Sequence, residues 1–526
     1  MCPPLDSSSD ISPQTHPKQM MNAVDLDQPI LTLDASTGRG FWTIRHAVEG
    51  VQIFGGIGSG KTSGSGRMLA LKYLQAGFGG LVLTVKPDEK QAWIEYCQQT
   101  GRSEDLIILE PGGPHRFNFL RYESAKSSGG SPLTENLVDV LKTVIRAGEE
   151  KDAGKSDDAF WETALDMLMF NVIDLCQLAY GHVSISDLYN IVQTIPKTIE
   201  GLKTDDEHGG IKYFHQAFER AKAQVNAWAE EWFTGLSFED QQRLQEDAFL
   251  EEALLEAVPQ ARLFKYIDQF FVENFIPLTD KTRSIIDFIF SGFLFRLLRE
   301  PVYSLFCRDE QSTVMPEDSL TGKVILINLP VKIYHKVGRD CQILFKYLWQ
   351  RAIEQRDIGT NGCPVFLWAD EAQNFIHEHD ADFQATARSS RVATVYISQN
   401  LPNYYACMGG GKAEFKVKSF LGTLATKIFH ANADIETNKY ASELLGDAFF
   451  EDRSESITVS QNFSQTQSRS LKLERAVRPE GFVRLKTGGP QNDFRVEGYL
   501  HRQGDSLIGT VNYVKMRFNQ HYFPID

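Results

Sequence analysis

The strongest chemical signal in this 526-residue chain is a glycine-rich segment, residues 55–62, which reads G-G-I-G-S-G-K-T. It follows the apolar run Val51–Phe54, a predicted strand, and it opens a predicted helix. Glycines let the backbone turn tightly enough for successive N–H groups to point at phosphate oxygens, and the helix N-terminus adds positive potential. The segment therefore predicts a phosphate-binding loop, with Lys61 on the β- and γ-phosphates and Thr62 on Mg²⁺. The residues predicted to bind the nucleotide are Gly55, Gly56, Ile57, Gly58, Ser59, Gly60, Lys61, Thr62 and Ser63.

A second candidate is the acid pair Asp370-Glu371, which follows the apolar run 364–369. The carboxyl end of a parallel strand is where such sheets place their ligands. Beside a phosphate-binding loop, Asp370 is predicted to hold Mg²⁺ through its water shell and Glu371 to polarise the attacking water. A strand that ends in an Asp-Glu turn is common, so the pair indicates a catalytic site only because the glycine loop is also present.

Two further residues, Arg388 and Gln399, flank the predicted strand 394–398. A glutamine at that strand end can contact the γ-phosphate or the water, and an arginine, Arg388 or Arg391, can neutralise charge in the transition state. The alternative for either arginine is a surface residue or an ion pair at the edge of the core.

The segment 377–380, His-Glu-His-Asp, superficially resembles a metal cluster. Its histidines are two residues apart, which places them on one face of a strand but not of a helix. The sequence offers no obvious further ligands nearby, so we interpret the segment as a solvated loop.

Short apolar runs that alternate with helical patterns are typical of an α/β fold with a parallel central sheet. Helical periodicity dominates residues 126–315, where an all-helical domain is predicted to interrupt the nucleotide-binding domain. Residues 453–470 are polar and serine-rich, which predicts a mobile loop before further short strands. The predicted strands are 51–54, 81–85, 106–109, 324–329, 364–369, 394–398, 426–430, 482–486, 494–499 and 507–511.

The charge and cysteine content limit the class of protein. The net charge is −15, and residues 230–256 contain nine acids and one base, as expected for a solvated helix face or a surface that docks a partner. Seven scattered cysteines argue against a disulfide framework and a zinc site, and thus favour the cytosol. The N-terminus lacks the apolar core of a signal peptide, and the apolar run 285–298 is shorter than a membrane span.

These motifs together resemble the ATPase domain of TraG/TraD-type coupling proteins of conjugation and type IV secretion, within the FtsK/HerA superfamily. The likeness extends over residues 45–500, and Thr84 stands where many relatives have an acid. The matching segments are residues 79–89, 116–120, 322–330, 370–372, 387–389, 398–399, 426–429 and 434–437.

The resemblance implies a P-loop ATPase that uses ATP and Mg²⁺ and forms a homo-oligomer, expected to be a hexameric ring, that moves DNA or a relaxase–DNA complex. Arg388 would then act in a neighbouring subunit. Expected partners are DNA and relaxase or secretion-system components, and we expect a cytoplasmic protein without a membrane anchor, with docking on a secretion channel left open. The alternatives are a nucleotide-gated recruitment module that binds a partner through its acidic helical domain, and a protein-translocating ATPase. The expected domains are a flexible tail at 1–40, a nucleotide-binding domain at 41–125 and 316–526, and the helical domain at 126–315.

Overall fold

The structure is a computed structural model of the chain. It describes residues 24–35, 38–127, 133–149, 159–199, 201, 212–244, 250–308, 311–377, 379–408, 413–459, 463–504 and 506–523. The chain divides into two compact units. The sheet unit runs to Ile108 and resumes at Pro316, and the helical unit is Leu109–Met315. The helical unit thus ends where the predicted all-helical domain ends, and it starts before residue 126.

The strands lie in the sheet unit, apart from the last residue of β5. They are β1 (Pro29–Ala35), β2 (Gly38–Thr43), β3 (Val51–Phe54), β4 (Gly79–Leu83), β5 (Leu106–Leu109), β6 (Val324–Ile327), β7 (Val365–Ala369), β8 (Val392–Ser398), β9 (Thr426–Phe429), β10 (Asp447–Val459), β11 (Phe463–Arg475), β12 (Arg495–Arg502) and β13 (Tyr513–Asn519).

The α-helices are divided between the units. Those of the sheet unit are α1 (Ile44–Ala47), α2 (Arg67–Gln75), α3 (Glu89–Gln99), α13 (Val331–Glu354), α14 (Asp380–Ala387), α15 (Leu401–Met408), α16 (Ala413–Gly422), α17 (Ile435–Leu445) and α18 (Pro479–Val483). Those of the helical unit are α4 (Phe119–Ser127), α5 (Leu133–Glu149), α6 (Ala159–Tyr180), α7 (Ile185–Gln193), α8 (Tyr213–Thr234), α9 (Phe238–Leu244), α10 (Leu250–Ala257), α11 (Pro259–Gln269) and α12 (Asp280–Leu297).

A nine-stranded sheet organises the sheet unit, in the order β13-β12-β9-β3-β8-β7-β4-β6-β5. The strands from β9 to β6 pair in parallel, whereas β12 and β13 are antiparallel additions at one edge. Strands β3, β4 and β7 are buried along their whole length, as the apolar runs in the sequence predicted. This parallel sheet with helical connections confirms the predicted α/β class.

Aromatic side chains fill the core between the sheet and the helices that follow β3 and β4. Trp93 of α3 stacks on Phe366 of β7 at a ring-centroid distance of 5.4 Å, and its edge meets Trp368 at the same distance. Tyr73 of α2 stacks on Phe78 at 5.0 Å. Full burial of a large apolar side chain contributes about 1.5–3 kcal/mol, so these contacts fix α2 and α3 against the strands that carry the candidate site.

The described residues of the helical unit form helices, apart from Leu109 in β5 and the connections between them. Apolar residues at the helical spacing of three and four, Leu165, Leu168, Met169, Val172 and Leu175, are all buried in α6. No single helix among the described residues is long and apolar enough to cross a membrane. Helices α6 and α7 are long and apolar enough when they are taken together, but the pair is bent by 114°.

The prediction of a loop at residues 453–470 is wrong, because most of this segment belongs to the antiparallel strands β10 and β11. Their register runs from Asp447 opposite Arg475 to Val459 opposite Phe463. Opposite charges face each other across the strands, as in the pair Asp447–Arg475 at 3.1 Å, and such cross-strand pairs stabilise a hairpin that composition alone does not reveal.

Two predicted strands near the C-terminus are also wrong. Residues 482–486 begin inside helix α18, because Pro479 at its first position favours a helix start over the strand propensity of the residues that follow. Residues 507–511 form a tight turn in which Gly509 has a φ of 60° and Ile508 bridges Val511.

The predicted flexible tail, 1–40, extends too far. Residues 1–23 lie outside the described residues, but β1 pairs with β2 through Ala35 and Gly38. Leu33 and Trp42 of this hairpin are buried in the main core, and their burial explains why the segment is ordered.

Candidate nucleotide-binding site

The glycine-rich loop connects β3 to α2 through a π-helical turn at Thr62–Gly66. Gly58 and Gly60 have φ values of 70° and 79°, in the left-handed region that favours glycine. A Cβ atom on Gly55 would lie 2.4 Å from the Ser59 hydroxyl, so the tight turn also excludes side chains there. The backbone N–H of Gly56 donates to the Ala431 carbonyl at 2.8 Å, which ties the loop to the end of β9.

The acid pair faces this loop from the carboxyl end of β7. The Thr62 hydroxyl donates a hydrogen bond of 2.8 Å to Asp370 Oδ2, although the two residues are 308 positions apart in the chain. Lys86, which follows β4, places its ammonium group 3.6 Å from the same oxygen. Asp370 is 3% exposed, so its carboxylate is held at the mouth of the loop.

Glu371 adopts a left-handed backbone conformation, with a φ of 50°. Its carboxylate accepts hydrogen bonds from Gln373 Nε2 at 2.9 Å and from Gln399 Nε2 at 3.1 Å, and Lys61 Nζ lies 3.9 Å away. Burial opposes ionisation of Glu371, but the two amide donors and Lys61 hold its pKa below the usual range. The side chain is therefore an oriented carboxylate. Backbone strain of this kind is found at functional sites.

Three residues near the acid pair were given no role from the sequence. Lys86 and Glu89 belong to the family-like segment 79–89, and Gln373 had no recognisable signal. Glu89 lines a small cavity together with Thr62 and Asp370. Burial and the charge of Asp370 raise the pKa of Glu89 to about 8, so its carboxyl group is largely protonated at neutral pH.

Thr84, the position where many relatives have an acid, has a structural role in this chain. It is fully buried, and its hydroxyl donates to the Ile327 carbonyl at 2.7 Å. Its backbone N–H and carbonyl pair with the amide of Gln342 at 2.7 and 3.0 Å. These bonds fix the end of β4, from which Lys86 reaches Asp370.

Arg388 lies apart from the other predicted site residues. It precedes β8, whose carboxyl end faces the glycine loop, so within one chain Arg388 is at the opposite edge of the sheet. Its side chain is 62% exposed, and its guanidinium group lies 3.6 Å from Glu49. Arg391, the other candidate, donates to the Gly362 carbonyl at 2.5 Å.

Two buried residues, Ser65 and His430, connect the glycine loop to β12. Ser65 Oγ lies 2.7 Å from His430 Nε2, and His430 Nδ1 lies 2.8 Å from the Glu497 carbonyl oxygen of β12. Burial lowers the pKa of His430 to about 4, so the ring is neutral near pH 7. The contacts join the π-helical turn of the phosphate-binding loop to the end of β9 and to β12.

The predicted solvated loop at residues 377–380 is wrong, because His377 and Asp380 are buried. Asp380 begins α14 and accepts hydrogen bonds from Lys346 Nζ at 2.6–2.7 Å and from the His377 backbone N–H at 2.8 Å. An ion pair satisfied in this way can be buried, whereas the sequence showed only its polar members. Glu378 lies outside the described residues.

The oxygen atoms at the mouth of the loop suit Mg²⁺. The Thr62 hydroxyl and the Asp370 carboxylate are hard oxygen donors, the type that Mg²⁺ prefers, and they lie beside the loop that would present the phosphates. Mg²⁺ is typically held by one or two protein oxygens together with phosphate oxygens and water, so two protein donors are sufficient.

Comparison with known proteins gives one family match and several similar structures. Residues 364–487 match a family model described as the TraM recognition site of TraD and TraG. No curated protein sequence matches the chain significantly. The unbound bacterial conjugative coupling protein TrwBdeltaN70 is 14% identical, with 94% of this chain and 90% of that chain covered and a TM-score of 0.56. TrwB with the ATP analogue ADPNP is 15% identical, with 93% and 91% covered and a TM-score of 0.54.

At these identities the TrwB structures establish the fold, a P-loop NTPase domain with helical additions. The family match covers β7, β8, β9 and the hairpin β10–β11, and so includes Asp370, Glu371 and Gln399. Together the match over residues 364–487 and the fold confirm the resemblance to TraG/TraD-type coupling proteins predicted from the sequence.

Proposed function

We propose that the chain is a Mg²⁺-dependent ATPase that acts as a motor on DNA, in the manner expected of conjugative coupling proteins. The contact between Thr62 and Asp370, at 2.8 Å, carries this proposal. This contact brings two oxygen atoms of the type that binds Mg²⁺, from segments far apart in the chain, to the mouth of a phosphate-binding loop. Glu371 is the next residue after Asp370.

Each residue of the site has a distinct role in the proposed hydrolysis. Thr62 and Asp370 would hold Mg²⁺, which when bound neutralises charge on the phosphates. Lys61 and the backbone N–H groups of the loop bind the phosphates, since Lys61 is at the start of the helix. Glu371 accepts a proton from the attacking water, and Gln399 orients that carboxylate through its 3.1 Å hydrogen bond.

The nucleotides bound in the similar structures support the choice of ligand. TrwB has been solved with the GTP analogue GDPNP, with the ATP analogue ADPNP, and with ADP and Mg²⁺. The family model names a TraM recognition site, which supports docking of a conjugation protein on residues 364–487.

We propose a homo-oligomeric ring, with a hexamer as the expected form, in which Arg388 acts on the nucleotide of a neighbouring subunit. The position of Arg388 is compatible with this role, because an exposed arginine at the edge of the sheet opposite its own glycine loop could reach a nucleotide only in another chain. DNA would pass through the ring, and a relaxase or a secretion-system component would deliver it.

A second candidate function is a nucleotide-gated recruitment module. The helices α8–α10 carry the acidic block, and its acids at positions 230, 239, 240, 251 and 252 are exposed, with residues 245–249 outside the described residues. Such a surface can dock a basic partner. A protein-translocating ATPase would use the same surface.

Stimulation of ATP turnover by DNA distinguishes these functions. A motor should hydrolyse ATP faster when single- or double-stranded DNA is added, and its DNA binding should weaken steeply with salt. A recruitment module should show no DNA effect, and a protein translocase should respond to a protein cargo.

Two variants separate binding from chemistry in the same assay. Lys61→Ala should lose tight ATP binding, whereas Glu371→Gln should retain binding and lose about 10²–10⁴-fold in turnover. Normal turnover by Glu371→Gln would contradict the assignment of the acid pair.

A further inference from the structure

We propose that the base of the bound nucleotide packs against a base wall, defined as residues 487–494 together with Gln520 and His521, where Phe494 supplies the stacking surface. The proposal rests on the nucleotide-binding function proposed above. It assigns a binding surface to the purine ring of the ligand, in addition to the proposed contacts with the phosphates and the metal.

The order of the strands determines on which side the base lies. The glycine loop follows β3, and the acid pair follows β7, on the β8 side of β3. The γ-phosphate and metal therefore face that side. The α-phosphate, ribose and base must extend the other way, toward β9, β12 and β13.

The base wall lies on that second side and at the correct edge of the sheet. Strand β12 is antiparallel to β9, so its first residue, Arg495, is at the edge where the parallel strands end. Arg495 pairs with Asn519, the last residue of β13. Residues 487–494 and 520–521 therefore emerge beside the glycine loop.

Direct contacts join the base wall to the phosphate-binding loop. Gln520 Nε2 donates to the Ser63 hydroxyl at 2.7 Å, one residue beyond Thr62. Gln520 Oε1 accepts a hydrogen bond from the Gly489 N–H at 2.8 Å. A Cβ atom on Gly60 would lie 2.4 Å from Val496 Cγ2 and 3.2 Å from the Thr487 carbonyl oxygen, so the wall and the loop are packed closely.

Phe494 is presented for stacking by an unusual backbone. Asp493 and Phe494 have φ values of 51° and 53°, which non-glycine residues rarely adopt. The Phe494 N–H donates to the Gly489 carbonyl, and its own carbonyl accepts from the Gln520 N–H, both at 2.9 Å. Phe494 as a residue is 36% exposed, and the centroid of its ring lies 4.3 Å from that of the His521 ring.

An exposed aromatic ring held in this way can stack on any base, because every base has a π-face. We therefore expect the wall to bind adenine and guanine with similar affinity, since stacking does not distinguish one purine from the other. Loss of the ring should weaken nucleotide binding about tenfold, or ~1.4 kcal/mol.

The first test compares Phe494→Ala with the wild type. The dissociation constants of ATP and of inorganic tripolyphosphate are measured for both proteins by calorimetry in the presence of Mg²⁺. Tripolyphosphate contacts the loop and metal residues but has no base. The expected result is about tenfold weaker ATP binding and unchanged tripolyphosphate binding. Phe494→Tyr should restore ATP affinity, and Phe449→Ala, an exposed phenylalanine on β10, should change neither ligand.

Equal loss of ATP and tripolyphosphate binding in Phe494→Ala would overturn the base wall, as would unchanged ATP binding. A wild-type protein that binds tripolyphosphate as tightly as ATP would also overturn it, while leaving the phosphate site intact. If the wild type binds neither, the proposed function itself fails and the base wall fails with it.

Phe494→Trp gives a second, spectroscopic test that does not depend on affinity. ATP should quench the fluorescence of this tryptophan beyond the change seen in the wild type, whereas tripolyphosphate should not. An identical response of variant and wild type to ATP would contradict stacking at this position.

Discussion

Two charged clusters take their acids from the residues that follow strand β7, within about ten residues of each other, and the clusters differ in how their charges are paired. The nucleotide cluster consists of Lys61, Thr62, Asp370 and Glu371. Its amino-to-carboxylate distance, Lys61 to Glu371, is 3.9 Å. The buried cluster consists of Lys346, His377 and Asp380, and Lys346 lies 2.6 Å from Asp380.

The buried cluster satisfies its charge internally. Asp380 accepts hydrogen bonds from Lys346, from Gln350 Nε2 at 2.9 Å and from the His377 backbone. Burial opposes ionisation of Asp380, but His377 and Lys346 hold its pKa below the usual range. A cluster paired in this way stabilises the packing of α13 against α14.

The nucleotide cluster is arranged for an incoming ligand instead. Its Lys61 lies 3.9 Å from Glu371, and the neighbouring Lys86 lies 3.6 Å from Asp370, both longer than a direct hydrogen bond. Phosphates and metal would complete these interactions. Under the proposed function, polar residues that follow the same strand have opposite roles, according to whether their partners come from the chain or from the ligand.

The largest expected effect concerns Arg388, because the proposed completion of the nucleotide cluster requires a second subunit. Arg388→Ala should lower ATP turnover by about 10³–10⁵-fold with little change in nucleotide affinity, as for arginine fingers in general. Steady-state turnover and nucleotide titration would measure the two effects.

Mixing Arg388→Ala with Lys61→Ala subunits should restore part of the activity, because some interfaces then pair an intact loop with an intact arginine. Normal turnover by Arg388→Ala alone would refute the assignment. Arg391→Ala would then be the next variant to measure, although its guanidinium group already binds the Gly362 carbonyl.

The next largest effect is on stability, in the buried cluster. Lys346→Met should lower the free energy of unfolding by about 3–5 kcal/mol, since it leaves the Asp380 charge buried without its counter-ion. Urea unfolding would measure this loss. The matched control is Lys86→Met, whose side chain is 40% exposed beside Asp370 and should cost less than about 1 kcal/mol. An equal loss of unfolding free energy in the two variants would contradict the proposed difference between the clusters.

The acid pH dependence of stability should reflect His430, the buried ring beneath the nucleotide cluster. Its pKa is lowered from 6.5 to about 4, so the unfolded chain binds the proton more tightly than the folded chain in this window. The free energy of unfolding should therefore fall as the pH drops from 6.5 to 4, by up to about 3 kcal/mol from this residue.

Denaturation of His430→Asn at several pH values would test this dependence, since the variant should show a flatter acid profile than the wild type. The control is His182→Asn, because the His182 side chain is 62% exposed. An unchanged profile in His430→Asn would show that another group is responsible.

The nucleotide cluster could be predicted from the sequence because its parts are local motifs. Gly58 and Gly60 adopt the backbone that only glycine favours, and the strand before Asp370 is apolar throughout, so residue types alone indicated the turn and the sheet edge. Gln399 was predicted from its place at a strand end. The parallel sheet followed from the same apolar runs.

The buried cluster and the base wall were not predictable in this way. Lys346 and Asp380 meet only through the packing of α13 and α14, so the polar segment 377–380 alone predicted a solvated loop. The bond from Gln520 to Ser63 joins residues 457 positions apart, without a local pattern. Strands β10 and β11 were missed because serine and threonine are common in loops, whereas here cross-strand pairing determines the structure.

The smallest expected effect lies on the exposed hairpin, where the ion pair Arg475–Asp447 contrasts with the buried cluster. The two atoms are 3.1 Å apart, close to the Lys346–Asp380 distance, but both side chains are 44% exposed. Water therefore competes for each charge in the folded state, and holding two long side chains together costs entropy. Arg475→Ala should lower the free energy of unfolding by no more than about 1 kcal/mol, and that loss should shrink at high salt because exposed charges are screened. A salt-independent cost of several kcal/mol, similar to that of Lys346→Met, would show that distance and not burial determines the strength of these pairs.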